Sequence, residues 1–223
     1  MTITARHETI SLIVPQHNQP LRTKTLLDQL RQCEPEPHEV VLVDDGSLLV
    51  DPFPWPSVSN QVRLRQPHSG VTAAWNHGAR NASGDVLIFL NNDVGIEGPF
   101  LSPLRNELAD PAVSLAGVNW RKERSLPLGL LESRQLPLVE GWCFAVRRAD
   151  FDTLQGFDES MRLYFSDTDF QWRIRERFPE RRFSVLPRLP LVHEGHATMR
   201  TLPERRPTWH RDRRRFVEKW TNR

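Results

Sequence analysis

Apolar residues fall in short runs that stop abruptly at polar ones, and between the runs they recur at helical spacing. Ile10-Ser-Leu-Ile-Val14, Val40-Val-Leu-Val43 and Val86-Leu-Ile-Phe-Leu90 are rich in β-branched residues and bounded by turn formers, which predicts buried strands. Val62 to Gln66 predicts a further short strand. Pro20 suits the first turn of a helix, and Leu26, Leu27 and Leu30 would then share one face. Val71, Ala74, Trp75, Gly78, Ala79 and Ala82 recur at i, i+3, i+4, i+7, i+8 and i+11, a helical stripe whose small residues allow close packing on a sheet. Gly84 interrupts the chain before the run ending at Leu90. This alternation predicts an α/β fold, with a mostly parallel central sheet and helices on both faces.

The second half is less regular. Phe100 to Ala109 predicts a helix, Ser114 to Val118 a strand and Gly141 to Val146 another. Ser166 followed three residues later by Asp169 resembles a capping box, and Phe170, Ile174 and Phe178 then mark one helix face. Leu48 to Asn60 and Arg121 to Leu138 read as an irregular and a mobile loop. The tail from Arg205 to Arg223 is basic, with Arg211, Arg213, Arg214, Arg215 and Lys219 close together. A solvated helix face and a patch contacting anionic lipid both fit such a tail.

Composition narrows the class. The chain has 223 residues, of which 38% are hydrophobic, enough for one core. The net charge of +2 does not suit a nucleic-acid binder. Cys33 and Cys143 are far apart and in no metal-like spacing, so neither a disulfide framework nor a thiolate metal site is expected. No signal-peptide pattern opens the chain, and no apolar stretch approaches the roughly 20 residues of a membrane span. The expectation is a soluble cytoplasmic protein.

The strand ends carry the chemistry. One run ends in Asp44-Asp45-Gly46-Ser47 and another in Asn91-Asn92-Asp93. In an open α/β sheet, ligands bind just outside the carboxyl ends of the strands. Two buried strands that both terminate in oxygen ligands suggest one site for a polar ligand, with a metal.

In this order, the motifs resemble a family 2 glycosyltransferase of the GT-A (Rossmann-like) fold. Ser11-Leu-Ile-Val-Pro-Gln-His-Asn18 is similar to that family's opening strand and turn, and Val43-Asp-Asp-Gly-Ser47 to its nucleotide-binding signature. Gly70 to Gly78 followed by Ala82-Ser-Gly84 resembles its glycine-punctuated helix, and Leu90-Asn-Asn-Asp93 stands where the DxD metal motif would be. Gly156-Phe-Asp-Glu159, Ser166-Asp-Thr-Asp169 and Val192-His-Glu-Gly195 resemble its acceptor loop, catalytic-base region and late histidine motif.

The resemblance implies a single GT-A domain over residues 1–204, with a nucleotide-sugar half to about residue 95 and an acceptor half beyond it. Residues 205–223 would be an appended basic helix. It implies inverting transfer of a sugar from a nucleotide-diphosphate donor to a hydroxyl of a saccharide or lipid-linked acceptor, in cell-surface polysaccharide synthesis. Asp167 would be the catalytic base. Pro15, His17, Asn18, Asp44, Asp45, Asn76, Asn91 and Asn92 would bind the nucleotide sugar. Asp93 and His193 would hold Mn²⁺ or Mg²⁺, oxygen ligands suiting such hard cations. Trp142 and Asp169 would meet the acceptor. A carboxylate can accept from the imide N–H of uracil or thymine, which favours a UDP- or dTDP-sugar. His193 also fits a structural histidine and Trp142 plain core, while His196 reads as structural. Two other functions fit the same strand ends: a non-catalytic nucleotide-sugar-binding relative, and a sugar nucleotidyltransferase. The latter would want glycine and basic residues in place of Pro15-Gln-His-Asn-Gln-Pro20.

Overall fold

A computed structural model describes residues 8–34, 39–48, 60–120, 138–195 and 203–221. The four predicted strands of the first half form β1 (Ile10–Gln16), β2 (Glu39–Asp45), β3 (Gln61–Gln66) and β4 (Val86–Leu90). They join β6 (Val113–Gly117), β7 (Cys143–Arg147) and β8 (Arg182–Val185) in one sheet of order β3-β2-β1-β4-β7-β6-β8. β1 to β4 are parallel neighbours, and β7 runs antiparallel to both β4 and β6. The expected mostly parallel α/β sheet is therefore present. From β1 the chain builds outward first on one side, through β2 and β3, and then on the other, through β4. That reversal opens a crevice at the carboxyl ends of these strands.

Strand alternation sends side chains to two cores. Leu12, Val14, Leu42, Ile88 and Leu90 meet Leu26, Leu27 and Leu30 of α1 (Pro20–Cys33) and Leu101, Leu104 and Leu108 of α3 (Leu101–Leu108). On the other face, Ile13, Val41, Val43, Leu87 and Phe89 meet Ala74, Trp75 and Ala79 of α2 (Val71–Asn81) and Phe170 and Ile174 of α5 (Ser166–Arg177). Strands buried on both faces read as continuous apolar runs, which is why they stood out. α2 lies so close to the sheet that a Cβ on Gly78 would come within 2.5 Å of Ile13 Cγ2.

Three short elements had no clear signal: β5 (Val94–Ile96), α4 (Arg148–Thr153) and β8. β5 pairs antiparallel with β9 (Leu191–His193) in a separate two-stranded sheet. Residues 49–59 and 121–137, the bulk of the two expected loops, lie outside the described residues, as does His196.

The expected capping box does not form. The residue before α5 is Phe165, in the left-handed region at φ 64°, and no side chain caps the helix. Asp169 turns inward instead. It is fully buried and receives Arg173 Nε at 2.8 Å, Lys219 Nζ at 2.8 Å and Trp220 Nε1 at 3.0 Å.

Two of those partners belong to α6 (Arg205–Thr221), the predicted basic tail. Thr208, Asp212, Phe216 and Trp220 are buried at successive i+4 positions. Phe216 and Trp220 pack with Trp172, Phe165, Met161 and Leu138 in a third apolar cluster. Of the five basic residues, Lys219 pairs with Asp158 and Asp169, and Arg211 with Asp212. Arg213 lies over the Trp209 ring, and only Arg214 and Arg215 are exposed. Ion pairs thus hold Lys219 and Arg211, while Arg214 and Arg215 stay at the surface. Among the described residues, no helix is long and apolar enough to cross a membrane. Phe216→Ala should cost about 3–5 kcal/mol of stability, the usual range for emptying a buried aromatic site. Urea unfolding of the full chain measures this; a loss under about 1 kcal/mol would mean that α6 is loosely attached.

Candidate active site

The crevice at the sheet switch point holds a pocket lined by Pro15 and Gln16 at the end of β1, His17 just after it, Asp45 at the end of β2 and Asn91, Asn92 and Asp93 after β4. His68, Val71 and Leu163 complete it. The structure thus brings together Pro15, His17, Asp45, Asn91, Asn92 and Asp93 from the sequence-derived set. Gln16, His68, Val71 and Leu163 are additions. His68 had a legible signal, being polar and just ahead of the Gly70 that opens α2. Leu163 had none, because it arrives from a distant loop.

Asp44 and Asp45 are adjacent in a strand, so they point to opposite faces. Asp45 faces the pocket wall and is 3% exposed. Its Oδ1 accepts from Gln66 Nε2 and the Ser69 amide, each at 2.8 Å. Its Oδ2 accepts from the Gly70 amide at 2.8 Å and lies 2.9 Å from His68 Nδ1. All four lone-pair positions of the carboxylate are filled, which leaves none for the imide N–H of a nucleobase. The expected basis for a uracil or thymine preference is therefore absent. Asp44 is occupied on the other face, where it accepts from Gln16 Nε2 at 2.7 Å and Ser47 Oγ at 2.5 Å and pairs with Arg65 at 3.2 Å. It fixes the turn and does not line the pocket.

Two asparagines are also displaced from the expected role. Asn18, at φ 53°, donates its amide N–H to Ser47 Oγ at 2.9 Å, and its side-chain oxygen accepts from the Leu48 amide at 2.8 Å. It ties the β1 turn to the β2 turn. Asn76 is buried in α2, where it donates to Phe157 O and Glu159 Oε1 and accepts from the Phe157 amide, all at 2.9 Å. It brackets the 156–159 loop, away from the pocket. Asn92 sits in the pocket wall but sends Nδ2 to Thr23 Oγ1 of α1 at 3.1 Å.

The β5–β9 ladder carries His193 to Asp93. His193 is in register with Val94, and the Glu194 amide donates to Asp93 O at 3.0 Å. His193 Nε2 lies 3.2 Å from Asp93 Oδ1, is buried and makes no hydrogen bond. A buried ring nitrogen without a hydrogen bond beside a carboxylate oxygen is a costly arrangement unless something binds between them. The Trp142 ring stacks on the imidazole, with centroids 4.8 Å apart and planes 13° from parallel, and so fixes its plane. One face of Trp142 is therefore committed to His193 rather than to a sugar. The Trp142 carbonyl accepts from the Asn91 amide at 2.9 Å, which holds the indole beside the β4 turn.

Asp167 lies in the first turn of α5 and is 8% exposed. Its carboxylate lies directly over Gly141, so close that a Cβ there would collide with Oδ2. Gly141 precedes Trp142, so Asp167 is joined through Gly141 to the Trp142–His193–Asp93 contacts beside the pocket. Asp169, expected at the acceptor, is sealed in its ion-pair network and cannot reach a ligand.

His17, Asp45 and His68 also bring ligand atoms within 4.8 Å of one another. Their atoms are already spent: His68 Nε2 lies 2.9 Å from Glu204 Oε1, and Asp45 carries four donors. This group builds the pocket wall. Asp93 and His193, 3.2 Å apart, place a second set of ligand atoms beside the pocket.

A mostly parallel sheet with a polar crevice at its switch point and an oxygen- and imidazole-lined turn after β4 defines a GT-A glycosyltransferase domain. The chain belongs to glycosyl transferase family 2, whose model matches residues 11–172. It is 28% identical over 233 residues to the O-antigen biosynthesis protein RfbC of Myxococcus xanthus, covering 87% of this chain and 18% of that protein. It is 29% identical over 215 residues to the pre-mycofactocin glycosyltransferase of Mycobacterium tuberculosis, covering 86% of this chain and 44% of that one. The chain thus spans less than half the length of these relatives. Among solved structures, the mannosyltransferase PcManGT from Pyrobaculum calidifontis in complex with GDP-Man and Mn²⁺ aligns with a TM-score of 0.65 at 23% identity, covering 87% of this chain and 61% of that one. Glucosyl-3-phosphoglycerate synthase from Mycobacterium tuberculosis, with Mn²⁺, UDP and phosphoglyceric acid, aligns with a TM-score of 0.67 at 16% identity, covering 92% and 77%. At these identities the structural likeness speaks for the fold.

The placement of Asn76 is testable. Asn76→Ala should destabilise the protein by about 1–3 kcal/mol, because it strands buried polar groups, yet leave nucleotide affinity unchanged. A denaturation midpoint and a UDP titration separate the two. Weakened UDP binding at full stability would put Asn76 back at the donor.

Proposed function

We propose that this domain transfers a sugar, with inversion, from a nucleoside diphosphate donor to a hydroxyl of a saccharide or lipid-linked acceptor in cell-surface polysaccharide synthesis. The observation that carries the reading is the His193–Asp93 pair. An imidazole nitrogen and a carboxylate oxygen, both buried and 3.2 Å apart beside the pocket, are a donor set for a divalent cation. When bound there, Mg²⁺ or Mn²⁺ would neutralise the charge that builds on the diphosphate as the glycosidic bond breaks. His17 and Asp45 line the nucleotide end of the pocket, and Asn91 offers a neutral amide beside the cation ligands.

Asp167 takes the proton. The acceptor oxygen bonds to the anomeric carbon as that carbon's bond to the diphosphate oxygen breaks, and the carboxylate receives the hydroxyl hydrogen. One displacement with one base inverts the centre. Gly141 makes room for the carboxylate at this position, in the first turn of α5. Asp167→Asn should keep the fold and donor affinity and lower turnover by roughly 10²–10⁴-fold, the usual contribution of a general base. Turnover within a few-fold of wild type would remove Asp167 from the chemistry.

A panel of UDP-, dTDP- and GDP-sugars, read as release of free nucleotide, tests the function directly. The panel spans all three because the Asp45 acceptor positions are taken. Release should stop in EDTA and return with Mn²⁺ or Mg²⁺. His193→Ala should raise the cation concentration needed for half activity, with little change in metal-free melting temperature. An unchanged metal titration in His193→Ala would make this a structural histidine.

A further inference from the structure

The nucleotide wall contains a histidine that no role above uses. His68 Nδ1 lies 2.9 Å from Asp45 Oδ2, and Nε2 lies 2.9 Å from Glu204 Oε1. Ionised carboxylates only accept hydrogen bonds, so both ring nitrogens must donate and the ring is an imidazolium. Asp45 is not the proton carrier, because its two oxygens already accept from Gln66, Ser69 and Gly70. The hydrogen bond from His68 also holds the Glu204 carboxyl below its ordinary pKa.

The neighbouring ring has the opposite character. His17 Nδ1 lies 2.8 Å from the Asp45 carbonyl and must donate to it. Asn18 Oδ1 accepts from the Leu48 amide, so Asn18 Nδ2 is the donor to His17 Nε2 at 2.9 Å. His17 is therefore neutral. It stacks on His68 with centroids 4.1 Å apart and planes 25° from parallel, a neutral π face laid on a cation. Both rings line the pocket.

We propose that His68 is a positioning residue: its doubly protonated ring, clamped between Asp45 and Glu204, holds His17 against the nucleotide and makes nucleotide binding weaken as the pH rises. The proposal rests on the reading that this pocket takes a nucleoside diphosphate. With the proton in place, Asp45, Glu204 and His68 together carry one negative charge; without it they carry two, beside an anionic ligand. Loss of the proton also sets one ring nitrogen lone pair against a carboxylate, which loosens the clamp and the His17 stack with it.

The other charged or titratable groups here are few. Arg162, from the loop before α5, donates to the His68 carbonyl at 3.3 Å and to Ser69 O at 2.8 Å, and Asp93 lines the same pocket. Burial alone would lower the His68 pKa, but Glu204 and Asp45 outweigh it and raise it above the ordinary histidine value. A raised folded value means that the clamp is complete below the unfolded histidine pKa. It is lost as pH climbs through the folded one.

The test uses the full chain, NMR of the His68 ring, and calorimetric binding of UDP, dTDP and GDP with excess Mg²⁺ from pH 6.5 to 9. The ring should titrate above the unfolded histidine value. The affinity of the nucleotide that binds should fall roughly three- to tenfold across the range, the effect of one added charge at pocket distance. Glu204→Gln should move both the ring titration and the fall in affinity to lower pH, and at the acid end it should bind more tightly than wild type, because it removes one negative charge beside the ligand. His68→Phe, which keeps a ring and loses the proton, should flatten the profile. A ring that titrates at or below the unfolded value overturns the proposal, as does an unchanged pH slope in His68→Phe. Failure of all three nucleotides to bind at any pH would instead overturn the nucleotide reading on which the proposal stands.

Discussion

A carboxylate taken out of water must be surrounded by donors, and three of them determine how this chain closes around its crevice. Asp45 gathers the 66–70 segment, using Gln66, His68, Ser69 and Gly70. Asp212 of α6, fully buried, receives the Leu163 and Tyr164 amides at 2.9 and 3.1 Å, and Leu163 lines the pocket. Asp169 draws Lys219 and Trp220 of α6 onto α5, two residues after Asp167. Residues far apart in the chain are thereby fixed relative to the strand ends. The remaining carboxylate of the pocket, Asp93, instead faces a histidine nitrogen that has no hydrogen bond of its own.

The line of contacts through Trp142 joins the two halves of the site. Its carbonyl holds the β4 turn, its ring fixes the His193 plane, and the preceding Gly141 leaves space for the Asp167 carboxylate. A cation at Asp93 and His193 and a base at Asp167 would then flank a donor whose nucleotide lies along His17 and Asp45. The α6 brace belongs to this geometry too, because it holds the loop and helix that carry Leu163 and Asp167.

The sheet and its flanking helices were legible in the sequence because their periodicities are strong and local. Runs buried on both faces, such as Val86–Leu90, and the small-residue stripe of α2 need no knowledge of partners. The strand-end turns were legible for the same reason. What was not legible depends on long-range pairing. Asp44 and Asp45 look alike in composition, and only strand alternation around a known sheet assigns one to the pocket. Asn18 and Asn76 resemble ligand groups until the backbone amides they serve are in place. The Ser166–Asp169 spacing fits a cap, but Lys219 and Trp220 from some 50 positions away take the carboxylate. The α6 stripe of Thr208, Asp212, Phe216 and Trp220 was present as an i+4 pattern, masked by the surrounding arginines.

The arrangement turns on which pair of side chains holds the cation. A crystal of the full chain grown with UDP and Mn²⁺, measured at a wavelength where manganese scatters anomalously, locates the ion directly. The account predicts an anomalous peak within bonding distance of both Asp93 and His193, with His68 still hydrogen-bonded to Asp45 and Glu204. A peak among His17, Asp45 and His68, with none at Asp93, would contradict it.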